Sequence, residues 1–250
     1  MKRKTVILAA GKGTRMPGDK PKVLYTLASK PLIGYSIETA QALNAENIIV
    51  IVGYQRELVT DKIKHLGVQT AIQDSQLGTG HALMQAEPLL KNEPCNLLVL
   101  CGDVPLLRPQ TLIALFAAHE KHNADATILT TLMENPTGYG RVLRNNGEIT
   151  AIIEERDAGP EIKRINEINS GIYIFKSPLI FEILRQIKPG NVQKEYYLTD
   201  AIALLLRAGK RVMTLVLENP DEIHGINTPE QLKEAERLLS QRNKDKPTTF

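Results

Sequence analysis

A strand-like run, TVILAA (residues 5–10), breaks into GKGTRM (11–16), and Pro21 and Lys22 follow closely. Glycine lets backbone N–H groups approach phosphate oxygens, while Lys12, Arg15 and Lys22 add positive charge. Gly11 and Gly13 alone fit a tight strand-to-helix turn equally well; Arg15 and Lys22 turn the reading toward a polyphosphate. The spacing is not that of a Walker A loop. Met16 stands where a dinucleotide fingerprint needs its third glycine. A second glycine loop, QLGTGHA (76–82), reads both as a turn with a helix cap and as a cradle for an anion or a base edge. Gln73, at the end of the strand before it, carries an amide that donates and accepts, which suits an imide edge such as uracil. Asp103, in GDVP (102–105), follows an apolar strand. A carboxylate at the carboxyl edge of a parallel sheet is a candidate Mg²⁺ ligand, and Asp also commonly caps such turns.

Other chemistries have little support. His81 reads as an ordinary helix-start residue rather than a base, and His65, His119, His122 and His224 lack metal-ligand spacing. Neither a Gly-x-Ser-x-Gly elbow nor a catalytic-cysteine signature occurs, so no covalent intermediate is indicated.

The elements that must hold these residues alternate. Apolar strands are expected at 5–10, 47–53, 68–73, 96–101 and 125–133, with helices at 31–43, 57–66, 81–90 and 109–122 between them. That pattern predicts an α/β fold, a mostly parallel sheet covered by helices on both faces. Beyond residue 135 the signals change. NNG (145–147) between 140–144 and 148–154 predicts a hairpin. A strand at 169–175, helices at 178–187 and 197–208, and a strand at 211–217 follow. TPEQ (228–231) has the N-cap, proline and glutamine of a capping box, starting a helix that runs to about residue 241. The polar tail, 243–250, is expected to fray.

Composition narrows the partners. The chain has 250 residues, no Trp, 42% hydrophobic residues and a formal charge of +3. Aliphatic side chains must fill the core, and scattered basic residues without aromatic interleaving argue against nucleic-acid binding. Cys95 and Cys101 lie in or beside one strand, too poorly placed to bridge, which suggests free thiols and a reducing compartment. No apolar run approaches a membrane span, and the basic N-terminus precedes too short an apolar stretch for a signal peptide. A cytoplasmic location is expected.

Together, LAAGKGTRM (8–16) with Pro21-Lys22, QLGTGH (76–81), GDVP (102–105), PTGYGR (136–141), EINSG (167–171) and EYYLTD (195–200) resemble the sugar-nucleotide pyrophosphorylase family. Within it, they look most like the N-acetylglucosamine-1-phosphate uridyltransferase branch. The resemblance runs from about residue 5 to residue 239. It implies a Rossmann-like nucleotidyltransferase fold with a small hairpin-containing sugar lobe, and a transferase unit over 1–227 followed by a C-terminal helix and tail over 228–250. The implied reaction joins UTP and N-acetylglucosamine 1-phosphate into UDP-N-acetylglucosamine and pyrophosphate with Mg²⁺. At matching positions, Leu8, Ala9, Ala10, Gly11, Gly13 and Lys22 would contact the nucleotide and Arg15 the pyrophosphate. Gln73, Gly78 and Thr79 would hold uracil, and Asp103 and Asn227 the metal. Cys101 and Gly102 would border the substrate, with Gly140, Glu154, Asn169, Tyr197 and Thr199 around the amino sugar. Cys101 replaces the tyrosine usual in this branch, changing one side-chain contact. Relatives commonly continue into a left-handed β-helix acetyltransferase domain, which this chain is expected to lack along with that activity and its trimer-forming element. The alternatives are another sugar phosphate or nucleotide, or a non-catalytic nucleotide-sugar sensor.

Overall fold

The computed structural model describes residues 1–90 and 93–244. The part of the expected frayed tail from residue 245 onward lies outside the described residues. In chain order the elements are β1 (Lys2–Ala9), β2 (Thr26–Leu27), β3 (Lys30–Pro31), α1 (Leu32–Gln41), β4 (Asn47–Val52), α2 (Arg56–Ile63), β5 (Gln69–Ile72), α3 (Thr79–Met84), α4 (Glu87–Leu90) and β6 (Cys95–Cys101). Then come α5 (Pro109–Lys121), β7 (Ala126–Leu132), β8 (Arg141–Asn145), β9 (Glu148–Ile153), α6 (Pro160–Lys163), β10 (Glu167–Ser177), α7 (Leu179–Leu184), α8 (Asp200–Arg207), β11 (Val212–Leu217) and α9 (Pro229–Lys244).

The main sheet runs β11-β7-β10-β6-β1-β4-β5. Every neighbouring pair is parallel except those made by β10, which is antiparallel to both β6 and β7. The α/β reading and the mostly parallel, mixed sheet therefore hold. Successive strand residues face opposite sides. Val6, Ile49, Ile51, Leu97 and Val99 enter one core with residues of α3, α7 and α8. Ile7, Val50, Val52, Leu98 and Leu100 enter the other with residues of α1, α2 and α5. Continuous apolar strands are the consequence of this two-sided burial.

Several boundaries differ from expectation. The stretch expected as one helix at 81–90 divides into α3 and α4, and the helix expected from residue 197 begins at Asp200. The two-residue strands β2 and β3 pair antiparallel and were not foreseen, being too short to show periodicity. Leu27 of β2 joins a third apolar cluster with Leu32 of α1, Leu106, and Ala235 and Leu238 of α9. The capping box that starts α9 is present: Gln231 Oε1 accepts from the N–H groups of Asn227 (2.7 Å) and Thr228 (3.1 Å), and Gln231 N–H donates to Thr228 Oγ1. Both cysteines are free. His119 is a core histidine, bonded to Thr127 (2.9 Å) and pushed down to about 4 chiefly by burial. No helix among the described residues is long and apolar enough to cross a membrane.

Candidate active site

The carboxyl ends of β1, β4, β5 and β6 stop at one edge of the sheet, where open α/β sheets bind ligands. Cross-links hold the chain as it leaves these strands. Gly102 N–H donates to Leu8 O (2.9 Å), Tyr54 N–H to Ala10 O (3.0 Å), and Gln73 N–H to Val52 O (2.8 Å).

A cavity of about 330 Å³ opens at this edge. Leu8, Ala9, Ala10, Gly11 and Lys22 line one side, Gln73, Gly78 and Thr79 another, and Cys101 and Asp103 a third. Lys22 Nζ forms an ion pair with Asp103 Oδ2 and donates to Asn227 Oδ1 (2.8 Å). Two oxygens from segments far apart in sequence thus converge on one cation. Ile226 N–H donates to Asp103 O (2.9 Å), fixing the segment that carries Asn227. Gly13 packs on the Lys22 stem, and a Cβ there would overlap it. Among the described residues, no group of three or more His, Cys, Asp and Glu side chains forms a metal cluster. The donor set here is one carboxylate and one amide oxygen, which suits a hard ion completed by phosphate oxygens and water.

Gly78 has φ of +108°, and a Cβ there would lie 2.7 Å from Tyr196 O. The reason is a close docking of two motifs. Tyr196 N–H donates to Leu77 O and Gly80 N–H to Tyr196 O, both at 2.8 Å, and Leu198 N–H donates to Thr79 Oγ1 at 3.0 Å. Residues 195–200 are thereby fastened across the second glycine loop.

A second cavity, of about 190 Å³, shares Leu8, Thr79 and Cys101 with the first. Gly140, Glu154, Asn169, Tyr173 and Thr199 also line it. Here β10 slips register against β7 between Asn169 and Tyr173, and Gly171 takes φ of +77°. Such a bulge re-aims side chains beside a site. Asn169 Nδ2 donates to Tyr173 Oη (2.7 Å), and its Oδ1 accepts from Gly171 N–H (3.2 Å). Thr199 Oγ1 donates to Glu154 Oε1 (3.0 Å). No lysine or arginine among the described residues forms an ion pair with Glu154. Burial raises its pKa, against the Thr199 hydrogen bond, and the nearby Asp200, Asp157 and Glu195 add to the rise. Burial likewise pushes the Cys101 thiol up to about 12, so this group is an inert wall at neutral pH.

Of the sequence-derived candidates, five stand apart from the cavity walls: Gly13 behind the Lys22 stem, Asn227 behind the Lys22 ammonium, and Arg15, Gly102 and Tyr197. Arg15 is exposed on the loop after β1. Gly102 is buried behind Cys101, near Ile33. Tyr197 lies in an adjoining cleft with Asp157 and Asp200, its hydroxyl donating to Gln193 Oε1 (2.9 Å). The walls also include Gln76, Glu195 and Tyr173, which sequence reasoning did not single out. Gln76 and Glu195 sit inside quoted motifs. Tyr173 had no signal beyond its place in an apolar strand. Arg141, within PTGYGR, is a structural anchor: it is 1% exposed and paired with Glu155 (2.7 Å).

The chain is similar to the bifunctional protein GlmU of Syntrophotalea carbinolica, with 47% identity over 237 residues that cover 95% of this chain and 51% of that protein. For GlmU of Pelotomaculum thermopropionicum the values are 45% over 238 residues, 95% and 52%. The chain thus spans about half the length of these curated relatives. Among solved structures, UDP-glucose pyrophosphorylase complexed with UDP-glucose superposes with a TM-score of 0.78 at 24% identity, covering 97% of this chain and 100% of that one. A putative glucose-1-phosphate thymidylyltransferase from Bacillus anthracis, in complex with a sucrose, gives 0.76 at 21%, covering 94% of each. These two likenesses establish the fold, including its Rossmann-like character. The model of the family described as nucleotidyl transferase matches residues 4–221, and the chain belongs to that family.

Proposed function

We propose that this chain is a cytoplasmic, Mg²⁺-dependent uridylyltransferase that joins UTP and N-acetylglucosamine 1-phosphate to give UDP-N-acetylglucosamine and pyrophosphate. The observation that carries the reading is the pair of adjoining cavities with Leu8, Thr79 and Cys101 in common. One has glycine loops and a cation held between Asp103 and Asn227; the other has neutral polar groups and an unpaired carboxylate. The first suits a nucleoside triphosphate and the second a sugar. The motifs quoted above and the GlmU relatives support uracil and N-acetylglucosamine as the particular base and sugar.

In the reaction a sugar-phosphate oxygen bonds to the α-phosphorus, and the bond from that phosphorus to the oxygen leading to the β-phosphate breaks. A phosphate monoester is largely ionised near neutral pH, so no general base is needed. Catalysis is then positioning and charge stabilisation. Asp103 and Asn227 would hold Mg²⁺, which supplies positive charge beside the phosphates. The fit rests on their two oxygens already sharing the Lys22 ammonium. Lys22 brings a fixed charge to the α-phosphate side, and Arg15 on its exposed loop meets the departing pyrophosphate. Glu154, Thr199 and Gly140 receive the sugar hydroxyls and acetamido group. The transferase unit comprises 1–227, with 228–250 as a C-terminal helix and tail.

The test is pyrophosphate release across a grid of UTP, CTP, dTTP, GTP and ATP against N-acetylglucosamine, glucose and mannose 1-phosphates. UTP with N-acetylglucosamine 1-phosphate is expected to give the highest kcat/KM. A higher value for another pair would replace the proposed substrates, and binding of a UDP-sugar without turnover under saturating Mg²⁺ would replace catalysis with sensing.

A further inference from the structure

Gln73 and His81 form a pair whose polarity is set by a third group. The Gln73 side chain belongs to a residue only 3% exposed. Its Nε2 donates to Gly78 O at 3.0 Å and lies 3.0 Å from His81 Nδ1. The Gly78 carbonyl can only accept, so the amide nitrogen must be the atom facing these two neighbours. Its second N–H then points at Nδ1, which accepts, and the ring proton resides on Nε2. Gln85, at the C-cap of α3, donates to His81 O (2.9 Å) and lies 3.4 Å from Nε2, too long a contact to compete. The ring is steadied by Tyr196, with centroids 6.2 Å apart.

Both amide protons of Gln73 are therefore engaged within the protein. Its Oε1 accepts from no protein donor among the described residues, and Gln73 lines the larger cavity. An unrestrained glutamine amide can flip and offer either polarity. Here a flip would set Oε1 against the Gly78 carbonyl and the Nδ1 lone pair together. The cavity thus presents an acceptor. Uracil offers N3–H to an acceptor, whereas cytosine offers an N3 lone pair, and a hydrogen-bonding site rejects a mismatched partner strongly.

We infer that His81 is a positioning residue that keeps the Gln73 amide oxygen turned toward the base and so sets the preference for a 2,4-dioxopyrimidine over cytosine. This rests on the reading of the larger cavity as the nucleotide site. Without His81, a flipped amide opposes one acceptor instead of two, and a buried N–H loses its partner.

The experiment compares UTP and CTP kinetics for the wild type, His81→Leu, His81→Asn and Gln73→Leu, with thermal melting of each. His81→Leu is expected to raise KM for UTP and lower the UTP:CTP ratio of kcat/KM about tenfold, the effect of roughly one buried hydrogen bond, with kcat within about twofold. His81→Asn, whose Oδ1 can take the place of Nδ1 as acceptor, is expected to recover most of the ratio. An unchanged ratio in His81→Leu overturns the inference, as does a fall that His81→Asn fails to recover. Gln73→Leu separates the two levels. If it abolishes the base preference while His81→Leu does not, only the role of His81 fails. If neither variant alters the preference, the nucleotide reading of this cavity fails.

Discussion

The two cavities flanking Cys101 treat charge in opposite ways. In the larger, Asp103 is neutralised by Lys22, and Asn227 adds a second oxygen to the same ammonium. In the smaller, Glu154 has, among the described residues, one hydroxyl partner, Thr199, and no cation partner, and its pKa is raised by burial. In the first arrangement two oxygens from distant segments are already placed around a positive charge. The second keeps a strong acceptor poorly solvated and available, as recognition of a neutral, hydroxyl-rich ligand requires. On the proposed function a polyphosphate and a sugar would call for these two solutions, and the residues common to both walls would set the ligands next to one another.

The largest effect is expected at Asp103. Asp103→Asn leaves the shape of the larger cavity and removes the Lys22–Asp103 charge pair, and kcat is expected to fall on the order of 10²–10³, measured by pyrophosphate release. Near-wild-type turnover would remove Asp103 from the metal site. Gly78→Ala attacks the same side sterically. Its positive φ and the 2.7 Å approach to Tyr196 O predict a loss of about 1–3 kcal/mol in stability and a raised KM for UTP, seen in melting curves and kinetics. The KM for the sugar phosphate should move far less.

Glu154→Gln addresses the other side. Loss of a charged acceptor is expected to raise KM for the sugar phosphate about tenfold or more, with little change for UTP. An equal effect on both substrates would contradict the division of labour. The smallest effect is on pH-dependent stability. A carboxyl whose pKa is raised by folding holds its proton more tightly in the folded state. Its favourable contribution is complete below the ordinary carboxylate range and is lost as pH rises through the raised value. Glu154→Gln lacks this loss, so its melting temperature relative to wild type should climb as pH rises above the ordinary carboxylate range. A constant difference would show that Glu154 is not raised.

The same two regions differ in how far the sequence disclosed them. Residues 8–22, 73–79 and 101–103 are contiguous runs at strand ends, where glycine, lysine and aspartate carry their meaning locally. The smaller cavity gathers Gly140, Glu154, Asn169 and Thr199 from separate elements, and only the family resemblance brought them together. Its wall depends on β10 lying antiparallel between β6 and β7, and on a bulge within β10; neither leaves a pattern in an apolar strand. The Lys22 contact with Asn227 spans 205 positions and follows from tertiary structure alone. His81 reads as an ordinary helix-start residue because its partner Gln73 belongs to the preceding strand end, and the carbonyl that fixes their polarity is a backbone group. The two-residue strands β2 and β3 escaped notice because no periodicity can be read from two residues.

The most direct test of a single-step transfer between the two cavities is a rapid-quench measurement of pyrophosphate, with enzyme in excess over UTP and Mg²⁺ present. UTP alone should release none above background, and adding N-acetylglucosamine 1-phosphate should release pyrophosphate and form UDP-N-acetylglucosamine in equal amounts at the same rate. A burst of pyrophosphate from UTP alone, with uridylate retained on the protein, would contradict direct attack by the sugar phosphate.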